Sequence, residues 1–322
     1  MRALVTGGAG MIGSHLVDAL LARGDRVIVV DNLLTGRRRN LDHLAANPAL
    51  TIIEADVCAA GNPSLRVGPV DQVYHLASPA SPVDFARYPL ETLLASAEGT
   101  RHALDAARRW GAVLLLASTS EVYGDPEEHP QAETYRGNVN PLGPRSCYDE
   151  GKRFAESLAM AYWRVHGVDV RIARLFNTYG PRSRPDDGRV VPTFCVQALT
   201  GEPLTIFGSG RQTRSLCYVS DTVRGLLALA DAPGLAGEVV NLGCPEERTV
   251  LEIAEIVAAA AGGSCRLERQ PLPVDDPTRR CPDITKARRL LGWEPEVDLE
   301  TGLELTLAYF RDELAVSRGA AA

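Results

Sequence analysis

Residues 1–24 read MRALVTGGAGMIGSHLVDALLARG, and this stretch decides the fold. Apolar residues over Ala3–Thr6 predict a strand. A glycine-rich turn follows, and then Ile12, Leu16, Leu20 and Leu21 recur near a 3.6-residue period, which predicts a helix. Gly7 comes directly after the strand, and Gly8-Ala9-Gly10-Met11-Ile12-Gly13 fits the G-x-G-x-x-G pattern. Glycines there permit a tight turn and let a pyrophosphate approach the helix N-terminus closely. The pattern is weak alone; it gains weight because strand, turn and helix agree around it. RVIVVD (26–31) reads as the second strand and ends on Asp31. A carboxylate at that point accepts both ribose hydroxyls and repels a 2′-phosphate, which favours NAD over NADP. Arg37, Arg38 and Arg39 argue mildly the other way, unless they are a solvated charge run.

Outward from this unit the pattern repeats. Residues 50–57, 71–78, 113–119 and 169–180 read as further strands, separated by helix-length segments such as 90–109. Short, continuous, apolar strands are the mark of a parallel sheet covered on both faces. After residue 180 the texture changes. Helices are expected at 190–200, 220–233 (with Ser220 as cap), 249–261 and 298–314, and strands at 204–207 and 239–243. Residues 208–214 read as a loop, and 266–285 as an irregular segment with four prolines. The expected architecture is α/β: a Rossmann-type, doubly wound parallel sheet with a smaller C-terminal mixed α/β substrate domain. The first domain spans 1–180, with elements returning near 215–243. The second spans mainly 181–314, and 315–322 form a flexible tail.

Composition sets outer limits. The net charge of −7 disfavours a nucleic-acid binder, which needs a broad basic face. The seven cysteines (58, 147, 195, 217, 244, 265 and 281) include no CxxC pair, so free thiols in a reducing, cytoplasmic compartment are expected. A strand starting at Arg2 leaves no signal peptide before it. No run of 18 apolar residues predicts a membrane span. No metal-ligand spacing such as HExxH appears, and no metal is expected.

Tyr148 and Lys152 lie four apart in SCYDEGKRFAESLAMAYW (146–163) and share a face if this segment is helical. A nearby ammonium is expected to lower the pKa of the phenol toward the range of a useful base. The stretch LLLASTSEVYG (114–124) ends the fifth strand at the carboxyl edge of the sheet, where ligands bind in such folds. Ser118–Glu121 therefore read as an active-site wall, with a helix cap or a Ser/Thr turn as the local alternative. Asp56, after the third strand, is placed to meet an adenine amine or to cap a helix.

These residues resemble the extended short-chain dehydrogenase/reductases that act on nucleotide sugars, and more narrowly the UDP-glucuronate decarboxylases, also called UDP-xylose synthases. The matching runs include HLASPASPVDFARYP (75–89), LLASTSEVYGDPEEHPQAE (115–133), VNPLGPRSCYDEGKRFAE (139–156), ARLFNTYGPR (173–182), GEPLTIFGSGRQTR (201–214) and DDPTRRCPDITKA (275–287). The resemblance covers essentially the whole chain. It implies Tyr148 as catalytic base with Lys152 as partner, and Thr119 on the sugar 4-oxygen. Ser120 and Glu121 would lie near C5, and Arg280 near the anionic end of the substrate. It implies a UDP-sugar site from Pro82, Asn177, Arg189, Val190, Leu204 and Phe207, together with Arg211, Arg214 and Tyr218. It implies NAD held by Gly7, Gly10, Met11, Ile12 and Gly13; by Asp31, Asn32, Thr35 and Gly36; and by Asp56, Val57, Leu76, Ala77 and Ser78, besides Tyr148 and Lys152. Related 4,6-dehydratases carry Asp where Ser120 stands, so the serine weakens a dehydratase reading. Phe85, Ser96 and Cys281 depart from the usual Tyr, Asn and Lys.

The implied reaction is decarboxylation of UDP-glucuronate to UDP-xylose through a 4-keto intermediate, with the cofactor recycled. The rivals are a 4-epimerase, a 4,6-dehydratase, or an oxidative decarboxylase that releases the 4-keto pentose. A homodimer through residues 90–109 and 150–166 is also implied, with no nucleic-acid or membrane partner.

Overall fold

The computed structural model describes residues 1–263 and 265–319. Seven strands form one sheet: β1 (Arg2–Thr6), β2 (Arg26–Asp31), β3 (Leu50–Glu54), β4 (Gln72–His75), β5 (Val113–Thr119), β6 (Val170–Leu175) and β7 (Val239–Leu242). Their order is β7-β6-β5-β4-β1-β2-β3, and every pairing is parallel. The period of two along each strand explains the unbroken apolar runs. Ala3 and Val5 enter one core cluster while Leu4 enters another; Val27 and Val29 separate from Ile28 and Val30 in the same way.

One face is covered by α1 (Met11–Ala22) through Leu16, Val17 and Leu20. The opposite face is covered later in the chain. The expected helix over 90–109 is divided into α3 (Pro89–Leu94), a single π turn (Ala95–Gly99) and α4 (Thr100–Trp110), after a short α2 (Pro82–Arg87). Gly99 in that turn sits against Val57, and an added Cβ would come 2.9 Å from its methyl group. Ala103, Leu104 and Ala107 of α4 share the second core with Ala155 and Ala159 of α5 (Ser146–His166).

The strand expected over 169–180 stops at Leu175. The chain leaves the sheet at Phe176-Asn177, and Thr178–Tyr179 pairs instead with Cys217–Tyr218. Beyond this exit come α6 (Val190–Thr200), α7 (Val219–Asp231) and α8 (Val250–Ala261), then α9 (Thr285–Leu291) and α10 (Leu299–Gly319). α7 packs on the same face as α1, and β7 adds the outer strand beside β6. Ser220 does not cap α7: the helix starts one residue earlier, with Tyr218 at the N-cap position and no side-chain cap. Thr249 does cap α8, in a reciprocal box with Glu252.

Three further short strands lie where none was expected. Leu267–Gln270 runs parallel to Leu204–Phe207, and Thr213–Ser215 is antiparallel to Glu247–Thr249. The last helix runs past 314 to Gly319; the remainder of the expected tail, 320–322, lies outside the described residues. No helix among the described residues is long and apolar enough to cross a membrane.

Candidate active site

Strand β1 is flanked by β2 on one side and β4 on the other, so the winding reverses there. Ligand crevices open at the carboxyl ends of strands at such a point. A cavity of about 790 Å³ lies over that edge, and a smaller pocket of about 130 Å³ adjoins it through Gly7 and Gly10.

The glycine turn is enforced by contact. Gly7 has φ +73°, and a Cβ on Gly13 would fall 2.1 Å from the Gly7 carbonyl oxygen. Asp31 is fixed from both sides: Ala9 N–H donates to Oδ2 and Leu33 N–H to Oδ1, each at 2.9 Å. Burial pushes this carboxyl up, and the two N–H groups oppose it. Asp31, Asn32, Thr35, Gly36, Asp56, Val57, Leu76, Ala77 and Ser78 all line the smaller pocket. Met11, Ile12 and Gly13 line the larger one. Asp56 serves a local turn, since its Oδ1 accepts from Cys58 N–H at 2.8 Å. Two of the three arginines after β2 have a structural use. Arg37 and Arg39 both pair with the buried Glu313 of α10, and Arg37 also donates to the Tyr309 hydroxyl. Arg38 is exposed. A cradle of glycines beside a buried, oriented carboxylate, with Arg37 and Arg39 engaged by Glu313, fits a dinucleotide whose ribose carries free hydroxyls.

At the other end of the cavity, β5 and the first turns of α5 meet. The turn Ser120–Tyr123 is capped by Thr119, whose Oγ1 accepts from Glu121 N–H at 3.2 Å. The segment is thus both a Ser/Thr turn and a wall of the cavity. Ser118 is bound elsewhere, donating to Glu156 Oε1 at 2.6 Å. Arg280 is 1% exposed. Its Nη1 donates to Ser120 Oγ and its Nη2 to Glu121 Oε2, both at 2.8 Å. Arg145 Nη2 reaches the same Glu121 oxygen at 2.7 Å. Burial pushes the Glu121 carboxyl up, but Arg280 and Arg145 outweigh it and hold it below the usual range. Glu121 is therefore ionised and bracketed by two cations. An Asp in place of Ser120 would add a second carboxylate to Arg280.

Tyr148 is buried under Phe85, the rings stacked with centroids 5.4 Å apart. Phe85 thus supplies the stacking ring that a tyrosine would, without its hydroxyl. The expectation that Lys152 lowers the phenol's pKa is not met in the protein alone. Burial pushes Tyr148 up to about 12, although Arg189 and Thr119 act against it. Lys152 Nζ lies 5.8 Å from the ring centroid and donates to the Ala117 carbonyl at 3.0 Å. Burial itself lowers Lys152 to about 8.

Between pH 8 and 10.5 the unfolded chain keeps a proton on Lys152 that the folded chain has released, so this group makes stability rise with pH across that window. Below pH 8 its cost is complete. Lys152→Met is therefore expected to stabilise the protein at pH 7 by roughly 1–3 kcal/mol and to flatten this rise. Urea denaturation at pH 7 and pH 9 measures both effects.

Of the residues expected on the substrate side, Pro82, Asn177, Arg189, Val190, Phe207, Arg214 and Arg280 line the cavity. Arg189 donates to the Ala80 carbonyl at 2.6 Å, and Arg214 pairs with Asp276 at 2.8 Å. Three expected residues are elsewhere. Leu204 is wholly buried in the core, because alternation along its strand turns Thr205 and Phe207 to the cavity instead. Tyr218 packs edge-on against Tyr179 in that core. Arg211 is exposed on its loop, outside the cavity wall. Three further arginines line the cavity outside the expected set, Arg145, Arg182 and Arg184, of which Arg182 pairs with Asp18 at 2.7 Å. Arg145 lies three residues before Tyr148, on one helical face, a spacing visible in the sequence. Arg184 bridges Asp84 (2.7 Å) and the Thr35 carbonyl (3.3 Å), which no local pattern signals.

Fold and site together define a dinucleotide-binding α/β protein with a tyrosine, a lysine and an arginine-bracketed carboxylate at one cavity. Residues 3–243 match the model of the NAD dependent epimerase/dehydratase family. The chain belongs to that family and, within it, to the UDP-glucuronic acid decarboxylases. It is 54% identical over 314 residues to UDP-glucuronic acid decarboxylase 1 of Arabidopsis thaliana, covering 98% of this chain and 71% of that one. It is 52% identical to the protein of that name from Danio rerio, with 97% and 73% covered. Among solved structures it resembles UDP-glucuronic acid 4-epimerase from Bacillus cereus, in complex with UDP-glucuronic acid and NAD. That match has a TM-score of 0.87 and 31% identity, and covers 97% of this chain and all of that one.

Proposed function

We infer that the chain catalyses NAD-dependent decarboxylation of UDP-glucuronate to UDP-xylose, with the cofactor recycled. The observation that carries this reading is the cluster of buried Arg280 with half-buried Glu121 and Arg145 next to Tyr148, in a protein more than half identical to a named decarboxylase. The glycine turn and Asp31 would hold NAD, which when bound supplies the hydride acceptor and donor and a positive charge near the phenol. Tyr148 takes the proton of the sugar 4-hydroxyl, and Thr119 hydrogen-bonds the 4-oxygen. Oxidation at C4 places a ketone beside the carbon that bears the carboxylate. Such a β-keto acid loses carbon dioxide because the electrons of the breaking bond enter an enolate. Tyr148 and Thr119 stabilise the developing oxyanion. Glu121 and Ser120 position the proton that returns to C5, directly or through water. Arg280 attracts the substrate carboxylate, and Arg189 and Arg214 the diphosphate.

Recycling has a direct consequence. Carbon dioxide release should match substrate consumed at substoichiometric NAD, without NADH building up at 340 nm. One NADH per carbon dioxide would mean instead that the 4-keto pentose is released. Asp31→Ala is expected to weaken NAD use and to narrow its advantage over NADP, measured as the ratio of kcat/KM values; an unchanged ratio would remove Asp31 from cofactor selection.

We further propose a division at residue 180, with 215–243 returning to the dinucleotide domain and 181–314 forming most of the substrate domain. A homodimer through residues 90–109 (α3 and α4) and 150–166 (α5) is supported by the exposed Leu90, Leu94 and Phe154. Phe154→Asp should then shift the mass in light scattering from dimer to monomer. Seven free cysteines agree with a cytoplasmic setting.

A further inference from the structure

Behind Arg280, three distant segments bring an imidazole, a carboxylate and a thiol together. They are exposed His129, half-buried Glu247 and buried Cys281; one ligand atom from each lies within 4.8 Å of the others. His129 Nε2 is 3.1 Å from Glu247 Oε2. The Cys281 thiol donates to the Pro245 carbonyl at 3.3 Å.

The donors stand on a cross-linked scaffold. Gln131, two residues after His129, donates its N–H to the Cys281 carbonyl at 2.8 Å and accepts the Cys281 N–H on Oε1 at 2.9 Å. Glu247 opens a strand paired with Ser215, and the Ser215 hydroxyl donates to the Arg280 carbonyl at 2.8 Å. The other Glu247 oxygen accepts from the Thr213 hydroxyl, an outer contact of the kind that orients a metal-binding carboxylate.

We propose that His129, Glu247 and Cys281 form a binding site for a borderline-soft divalent cation of the zinc type, separate from the reaction centre. One nitrogen, one oxygen and one sulfur donor suit such an ion in tetrahedral geometry, with water as fourth ligand. Hard cations such as magnesium and calcium prefer oxygen donors throughout. On binding, the thiol proton passes to solvent and a sulfur–metal bond takes its place. The ion would tie 129, 247 and 281 together one residue from the guanidinium that holds Ser120 and Glu121.

Cobalt(II) alone is a suitable probe, titrated into the purified full-length protein without added chelators. One equivalent should produce a sulfur-to-cobalt charge-transfer band in the near ultraviolet and tetrahedral bands in the visible. Both should vanish with one equivalent of zinc. Cys281→Ser and His129→Ala should abolish the charge-transfer band, while Cys244→Ser retains it. Circular dichroism confirms that each variant is folded. Absence of the band in the wild-type protein overturns the site, as does a band that survives Cys281→Ser or follows Cys244 instead.

Discussion

Tyr148→Phe is expected to cut turnover of UDP-glucuronate by about 10³-fold or more, within the range for loss of a positioned acid–base group. Binding should change by only a few-fold. The reason is geometric. The phenylalanine keeps the stack on Phe85 and the packing at the start of α5, and loses only the hydroxyl. Isothermal titration with the substrate measures binding, and single-turnover absorbance at 340 nm measures oxidation at C4. The pKa of about 12 in the protein alone makes this variant informative. If the phenol must be lowered by the bound cofactor, the pH dependence of kcat/KM in the wild-type enzyme should show a basic group well below 12, and Tyr148→Phe should lack it. Near-normal turnover in the variant would remove Tyr148 as the base.

The second large effect is expected at Arg280. Arg280→Leu removes the fork that joins Ser120, Glu121 and the Gly124 carbonyl. Breaking a buried ion pair by deleting one partner costs about 3–5 kcal/mol. Arg145 still reaches Glu121, so the loss should lie near the lower figure. Thermal denaturation measures it. On the proposed role of Arg280, turnover should fall by about 10²-fold or more, since the proposed charged hydrogen bond to the substrate carboxylate is lost together with the order of the 120–121 turn. Arg280→Lys separates the two contributions. It keeps the charge but not the planar fork, so UDP-glucuronate should still bind better than UDP-glucose, with turnover reduced. If Arg280→Leu kept this preference, with turnover unchanged, Arg280 would have no part in recognition or chemistry.

The glycine turn was legible because it is local: strand, turn and helix lie within 24 residues, and contact with Gly7 excludes a side chain at Gly13. The parallel sheet was legible from apolar runs, since strands buried on both faces need no alternation. Where alternation does decide, at Leu204–Phe207, the sequence shows it: the expectation holds for Phe207 and fails for Leu204, whose place on the cavity side Thr205 takes. Two features were out of reach. The split of 90–109 by a π turn follows from the packing of Gly99 and Ser96 against Val57 and Gly151. The engagement of Arg37 and Arg39 by Glu313 joins residues about 275 positions apart. Likewise, the 148/152 spacing says that the two side chains share a helical face. It says nothing of how far burial raises one and lowers the other.

The central claim is that oxidation at C4 sets up loss of the neighbouring carboxylate in this cavity. The purified protein should be incubated with UDP-glucuronate and catalytic NAD, with no added reductant, and the nucleotide-sugar product weighed by mass spectrometry. The account predicts a product lighter than the substrate by one carbon dioxide. An unchanged mass, as an epimerase would give, or the loss of water would contradict it.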